Sequence, residues 1–176
     1  MITALLLAAA MPQAPACRIE RAVYRLKGDS KFTAGFARQD RRDSGVSDLV
    51  LWLKTPKRTY WFGFAAPNGY GGTYLEPEID PRVSVRLSDD EERDKAEKMD
   101  PAEPLNIEFD AFASDLSVFE APPRASDKPP SLLFARGLGP ALWYGPSALA
   151  GNDEKAEREG MPIGFFVPAG CGGPPK

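Results

Sequence analysis

The sequence predicts an all-β or β-dominant fold, an antiparallel sandwich or partly open barrel with one or two short helices. Three observations carry that expectation. Several segments alternate apolar and polar residues with the period of a half-buried strand. Sixteen glycines and eighteen prolines among 176 residues supply many turns and leave little room for long helices. The stretch 48–76 consists of three apolar runs separated by the turn-forming sequences Thr55-Pro-Lys-Arg58 and Pro67-Asn-Gly69.

In chain order, residues 1–16 (MITALLLAAAMPQAPA) hold an apolar run over 2–11, then Ala14-Pro15-Ala16, an A-x-A cleavage signature. They read as a signal peptide, although no Lys or Arg precedes the run. Cys17 is then the first mature residue and Cys171 the only other cysteine. In an exported chain the pair predicts a disulfide that staples together the two ends of a single β-rich domain, 17–176. The rival reading is a lipid anchor: Ala14-Pro15-Ala16-Cys17 resembles a bacterial lipobox, with alanine where leucine is expected, and lipidation of Cys17 would leave Cys171 an orphan thiol.

Strands are expected at 19–26, 32–37, 116–119, 132–135 and 163–167. Two more come from clean alternation: Val83, Val85 and Leu87 against Arg82, Ser84 and Arg86, then Leu105, Ile107 and Phe109 against Asn106, Glu108 and Asp110. One helix is expected after Ser88-Asp-Asp-Glu91, a capping box, with Glu91–Lys95 and Asp94–Lys98 pairs along 92–99. A second is expected at 153–159, between an Asn152 N-cap and Gly160. Residues 122–130 (PPRASDKPP) form a loop, and residues 172–176 a frayed tail.

Regular pairing across the two turns of 48–76 sets Trp52 opposite Trp61, Leu51 opposite Phe62, Leu49 opposite Phe64 and Leu53 opposite Tyr60. On the next hairpin it sets Phe62 opposite Tyr74 and Phe64 over Gly72. Apolar residues then meet apolar ones throughout, apart from the glycine contact, and a one-residue slip destroys the match. One face of this meander, with Leu51, Phe62 and Tyr74, is core. The other carries Val50, Trp52, Trp61, Gly63, Thr73 and Leu75.

That second face is the first functional candidate. Two adjacent tryptophans offer a flat platform for a sugar ring or an extended peptide. A sheet apolar on both sides is usually covered on both, and a second sheet or Leu142-Trp143-Tyr144 would be the cover. The second candidate is Glu76-Pro-Glu78-Ile-Asp80, whose carboxylates project to one side of an extended chain about 7 Å apart. Such groups suit calcium or the acid–base pair of a glycosidase; as charge and proline on an edge strand they also block aggregation. The third is the loop Pro67-Asn-Gly-Tyr-Gly-Gly72, where glycines permit close backbone approach or simply a tight turn. The ligand-binding candidates are Trp52, Trp61, Tyr70, Tyr74, Glu76, Glu78 and Asp80, with no metal and no cofactor assigned.

Composition removes whole classes of function. There is no histidine, so Ser-His-Asp and Cys-His nucleophile systems and histidine-ligated zinc are excluded. Twenty-two basic and twenty-five acidic residues give a net charge of −3, against a nucleic-acid partner. The leader is shorter than the roughly 20 apolar residues a transmembrane helix needs. The expectation is a periplasmic or secreted, non-enzymatic binding or accessory domain of the bacterial envelope that recognises a glycan, peptide or protein. The alternatives are a carboxylate-dependent glycan hydrolase working from Glu76, Glu78 or Asp80, and a purely structural envelope component.

Overall fold

The computed structural model describes residue 14 and residues 16–39, 46–66, 72–99 and 105–175. Apart from Ala14 and Ala16, the leader lies outside the described residues, as does Tyr70. Eight antiparallel strands form one sheet that closes on itself: β1 (Ala22–Leu26), β2 (Asp29–Arg38), β3 (Leu49–Lys54), β4 (Thr59–Ala65), β5 (Thr73–Pro77), β6 (Ile107–Phe112), β7 (Leu132–Arg136) and β8 (Phe166–Cys171). Each strand pairs with the next, and β8 returns to β1. Closure removes the exposed edges that an open sheet would leave. Among the described residues no helix is long and apolar enough to cross a membrane.

Alternation decides which side chains go inside. From β2, Phe32, Ala34 and Phe36 point inward; from β3 and β4, Leu51, Leu53, Tyr60 and Phe62 do so; Ile107, Phe109 and Ala111 follow from β6. The rings interlock, with Phe36 edge-on to Tyr24 and to Phe109 at 6.1 and 6.5 Å between centroids. An eight-stranded barrel is just wide enough for side chains to fill. The void among Ala34, Leu51, Phe109, Leu133, Leu138 and Phe166 is apolar, with a volume of ≈ 10 Å³, barely one water. The inside is a packed core.

One end of the barrel is plugged from β7. Gly137, at φ 86°, turns the chain into α3 (Leu138–Tyr144), and a side chain there would lie 2.8 Å from the Asn106 carbonyl. Leu138 and Leu142 enter the core, and Leu149 of α4 (Pro146–Leu149) follows. Residues 153–159 then strap the β3–β4 turn. Arg58 pairs with Asp153 at 3.1 Å, Lys57 pairs with Glu157, and the Thr55 hydroxyl donates to the buried Glu159 carboxylate at 2.6 Å. Tyr60 Oη is buried beside Glu159 without a normally aligned hydrogen bond. Burial first, and the nearby carboxylate second, push its pKa up to about 12.

The disulfide joins Cys17 to Cys171 with Cα atoms 6.2 Å apart. The helix expected after Ser88 is α2 (Asp89–Met99), and Glu91 accepts from both the backbone and the hydroxyl of Ser88.

Several expectations are corrected. Residues 82–87 are not a strand: α1 (Pro81–Ser84) begins there, because Asp80 accepts from the Arg82 N–H as an N-cap and Pro81 is pre-set for the first helical position. Residues 153–159 are not a helix; Asn152 adopts φ 60°, and the side chains that follow are taken up by Lys57, Arg58 and Thr55. The segment 116–119 makes only one bridge, Val118 to Phe112, because Leu116 turns at φ 67°. The last strand starts at Phe166, three residues later than expected. Within the expected tail, Gly172 and Pro175 each make a hydrogen bond, described below.

Candidate functional site

The first hairpin pairs as its sequence predicts: Leu51 with Phe62, Trp52 with Trp61 and Leu53 with Tyr60. The second does not. Phe62 faces Pro77 and Phe64 faces Leu75, three residues out of the expected register, because the connection from Ala65 to Thr73 is longer than the Pro67-Asn-Gly69 turn. An odd shift exchanges the faces. Leu75 enters the core at 2 % exposure, and Tyr74 moves to the outer wall opposite Ala65 and Glu108. The outer wall of β3–β5 thus gathers Trp52, Trp61, Tyr74, Glu76 and Glu78, with Asp80 directly beyond.

Across this wall runs one ladder row: Val23 on β1, Gly35 on β2, Trp52 on β3 and Trp61 on β4. Val23, Ala37, Val50, Trp52 and Trp61 form an apolar cluster separate from the barrel core. The Trp52 ring lies across Gly35, where an added Cβ would stand 2.6 Å from Cζ2 and 2.5 Å from the Ala22 carbonyl. Its indole Nε1 donates to the Phe36 carbonyl at 3.3 Å.

The tryptophans are on the outside of the barrel and yet are covered, Trp52 to 2 % exposure and Trp61 to 6 %. Two segments approach this face. The chain leaving β5 stays beside β4, with the Glu78 N–H donating to the Trp61 carbonyl at 2.8 Å, and then places the Arg82 guanidinium 5.2 Å from the Trp61 ring. From the other side come Gly172, Gly173, Pro174 and Pro175. The Gly172 N–H donates to the Arg21 carbonyl at 2.7 Å, Gly172 packs toward Val23, and the Pro175 carbonyl accepts from Arg82 Nη1 at 2.6 Å. Leu142-Trp143-Tyr144 is elsewhere, in α3 at the barrel end, with Tyr144 80 % exposed.

Asp80 holds this arrangement. Its carboxylate takes the Arg82 Nε at 2.9 Å and Nη2 at 2.6 Å, a two-pronged pair. Partial burial raises the Asp80 carboxyl, but the side-chain and backbone hydrogen bonds from Arg82 and its charge outweigh burial and hold it below the usual range. That direction suits a permanent ion-pair partner and not a proton donor. The same bond raises Arg82 further. Glu78 folds back toward Gly63 and accepts from the Ile79 N–H at 2.8 Å; Glu76, opposite Gly63, is exposed. Among the described residues no three acidic or thiol groups converge as a metal cage.

Comparisons with protein-family models, with curated proteins and with solved structures find no match for this chain. The site therefore rests on its own geometry. Two of its parts escaped the sequence reading. Arg82 was placed on the polar side of a strand, although Asp80-Pro81 signals a helix start that would have turned it. Residues 172–175 carry no local signal at all; only the tertiary structure brings Pro175 to Arg82.

Proposed function

We propose that this chain works outside the reducing cytosol, in the periplasm or beyond, as a non-catalytic binding or accessory domain of the bacterial envelope. It grips an extended peptide or glycan on the outer wall of β3–β5, through Tyr74 and the neighbouring carboxylates Glu76 and Glu78, and through Trp52 and Trp61 once the side chains that cover them are displaced. One observation carries the reading: two cross-strand tryptophans stand outside a barrel whose inside is already filled by other residues. Tryptophan is the side chain most enriched where one molecule grips another, because it offers a large rigid surface. The disulfide supports the location, since such bonds persist in oxidising compartments.

Retention of the protein on immobilised polysaccharides and on a proline-containing peptide array tests the face. Retention that falls at least tenfold in Trp61→Ala, with the far-UV circular dichroism preserved, is the expected result. Equal retention by the variant removes the face from the function. New reducing ends in the polysaccharide arm would replace binding by hydrolysis.

A further inference from the structure

We infer that the outer wall over the seam between β7 and β8 is a homodimer interface, occupied by the same wall of a second copy of this chain. The barrel is least joined by backbone at this seam: among the described residues, β7 and β8 share only the pair Leu133–Phe166. Aromatic side chains bridge it from outside. The ring of Phe165, just before β8, is centred 5.1 Å from that of Phe134 on β7 and 5.9 Å from that of Phe112 on β6. None of the three serves the interior, which Phe109, Leu133 and Phe166 fill from the other side of the sheet. Phe112 and Phe134 are half-buried, Phe165 is 41 % exposed, and Ile163 beside them is 79 % exposed. A contiguous apolar patch with a charged rim marks a contact surface, and aromatic side chains are enriched in such surfaces.

The charges flanking the seam identify the occupant. One row across the wall reads Asp110 on β6, Phe134 on β7, Phe165, and then Lys27 just past β1. Asp110 pairs with Phe134 in the ladder, and the Lys27 N–H donates to the Phe165 carbonyl at 2.9 Å. Lys27 is exposed, as is Arg25 on the same flank. The order is acid, ring, ring, base. A two-fold axis lying in the interface and parallel to the seam reverses that order in the second copy. It sets Phe134 against the partner's Phe165 and Asp110 against the partner's Lys27, each contact occurring twice. An acidic partner would suit the flank with Lys27 and oppose the one with Asp110, and a basic partner the reverse; the same wall turned over suits both. Glu108 and Arg136 pair with each other at 3.2 Å and add no net charge. Lys27 and Arg25 carry their charge on long stems, which reach across the gap that a curved wall leaves at its rim. Strand β4 lies halfway round the barrel, so the tryptophan wall of each copy stays clear of the contact.

Sedimentation equilibrium of the full chain, over a range of concentrations and in low and high salt, is the test. The expected result is a mass that rises to twice that of the chain, with a Kd that increases with salt because the rim charges are exposed. Phe165→Asp should leave a monomer. Asp110→Lys and Lys27→Asp each set like charges together at both rim contacts and should each raise the Kd about tenfold or more. An equimolar mixture of these two variants restores opposite charges at both contacts and should recover a dimer with one copy of each, which also shows that both are folded. Circular dichroism matching the wild type confirms the fold of each variant alone, and Phe165→Ser replaces any charge variant that fails it. A single-chain mass at every concentration up to the solubility limit overturns the second copy as occupant. A dimer whose Kd no substitution changes overturns this wall as its place. Weakening in the folded single variants without recovery in their mixture overturns the two-fold alignment.

Discussion

Arg82 joins three parts of the molecule: the Asp80 carboxylate, the Trp61 ring and the Pro175 carbonyl. Its position depends on a charge that can be titrated. Because Asp80 is held below its ordinary range in the folded protein, its contribution to stability is complete above that ordinary value and is lost as pH falls through the lowered one. Emission of the tryptophans and urea stability, followed from about pH 6 down to about pH 2, should show an acid step in the wild type. Asp80→Asn keeps the N-cap and removes the charge, so the step should shrink while α1 survives, Asp115, Asp153 and Glu157 being lowered as well. A step of equal size in the variant assigns it to other carboxylates. Gly35 is a second residue without substitute, because Trp52 and the Ala22 carbonyl already fill the place of its side chain.

At the scale of elements, the second hairpin is where pattern and structure part. Leu51 against Phe62 and Trp52 against Trp61 were legible because Thr55-Pro-Lys-Arg58 is a compact turn with one plausible register. After β4 the chain offers two apolar residues side by side, Tyr74 and Leu75, and alternation alone cannot say which one is inside. The barrel decides by taking Leu75. Leu75→Ala is therefore expected to cost about 2–5 kcal/mol in urea unfolding, and Tyr74→Ala about 1 kcal/mol or less, as for a wall residue outside the core. The opposite order would restore the shorter loop and its pairing. The missed helix α1 has a similar cause: Val83, Val85 and Leu87 alternate like a strand, but Asp80-Pro81 fixes the backbone first, and Val85 ends 74 % exposed.

At the scale of the whole molecule, the ends of the chain meet. Cys17 and Cys171, 154 positions apart in sequence, hold the start of β1 against the end of β8, while that strand pairs with β7 only at Leu133 and Phe166. A loop of this length raises the entropy lost on folding when the bond is absent, and by the chain-entropy model closure is worth up to about 5 kcal/mol. Urea unfolding with and without reductant should show a clear fall in midpoint on reduction. An unchanged midpoint would mean that strand pairing and the packed interior close the barrel unaided.

The sequence by itself determined the strand-rich class, the cysteine pair, the first hairpin with its facing tryptophans, and the capped helix at Asp89–Met99. Each of these depends on residues close in the chain, or on residue types whose chemistry leaves one partner. Only the tertiary structure decided that the sheet closes, that Leu75 and not Tyr74 faces inward, that residues 153–159 strap an end instead of coiling, and that Arg82 and Pro175 meet over Trp61. Those outcomes are set by burial and by hydrogen bonds between segments up to about a hundred residues apart, and local periodicity carries no record of them.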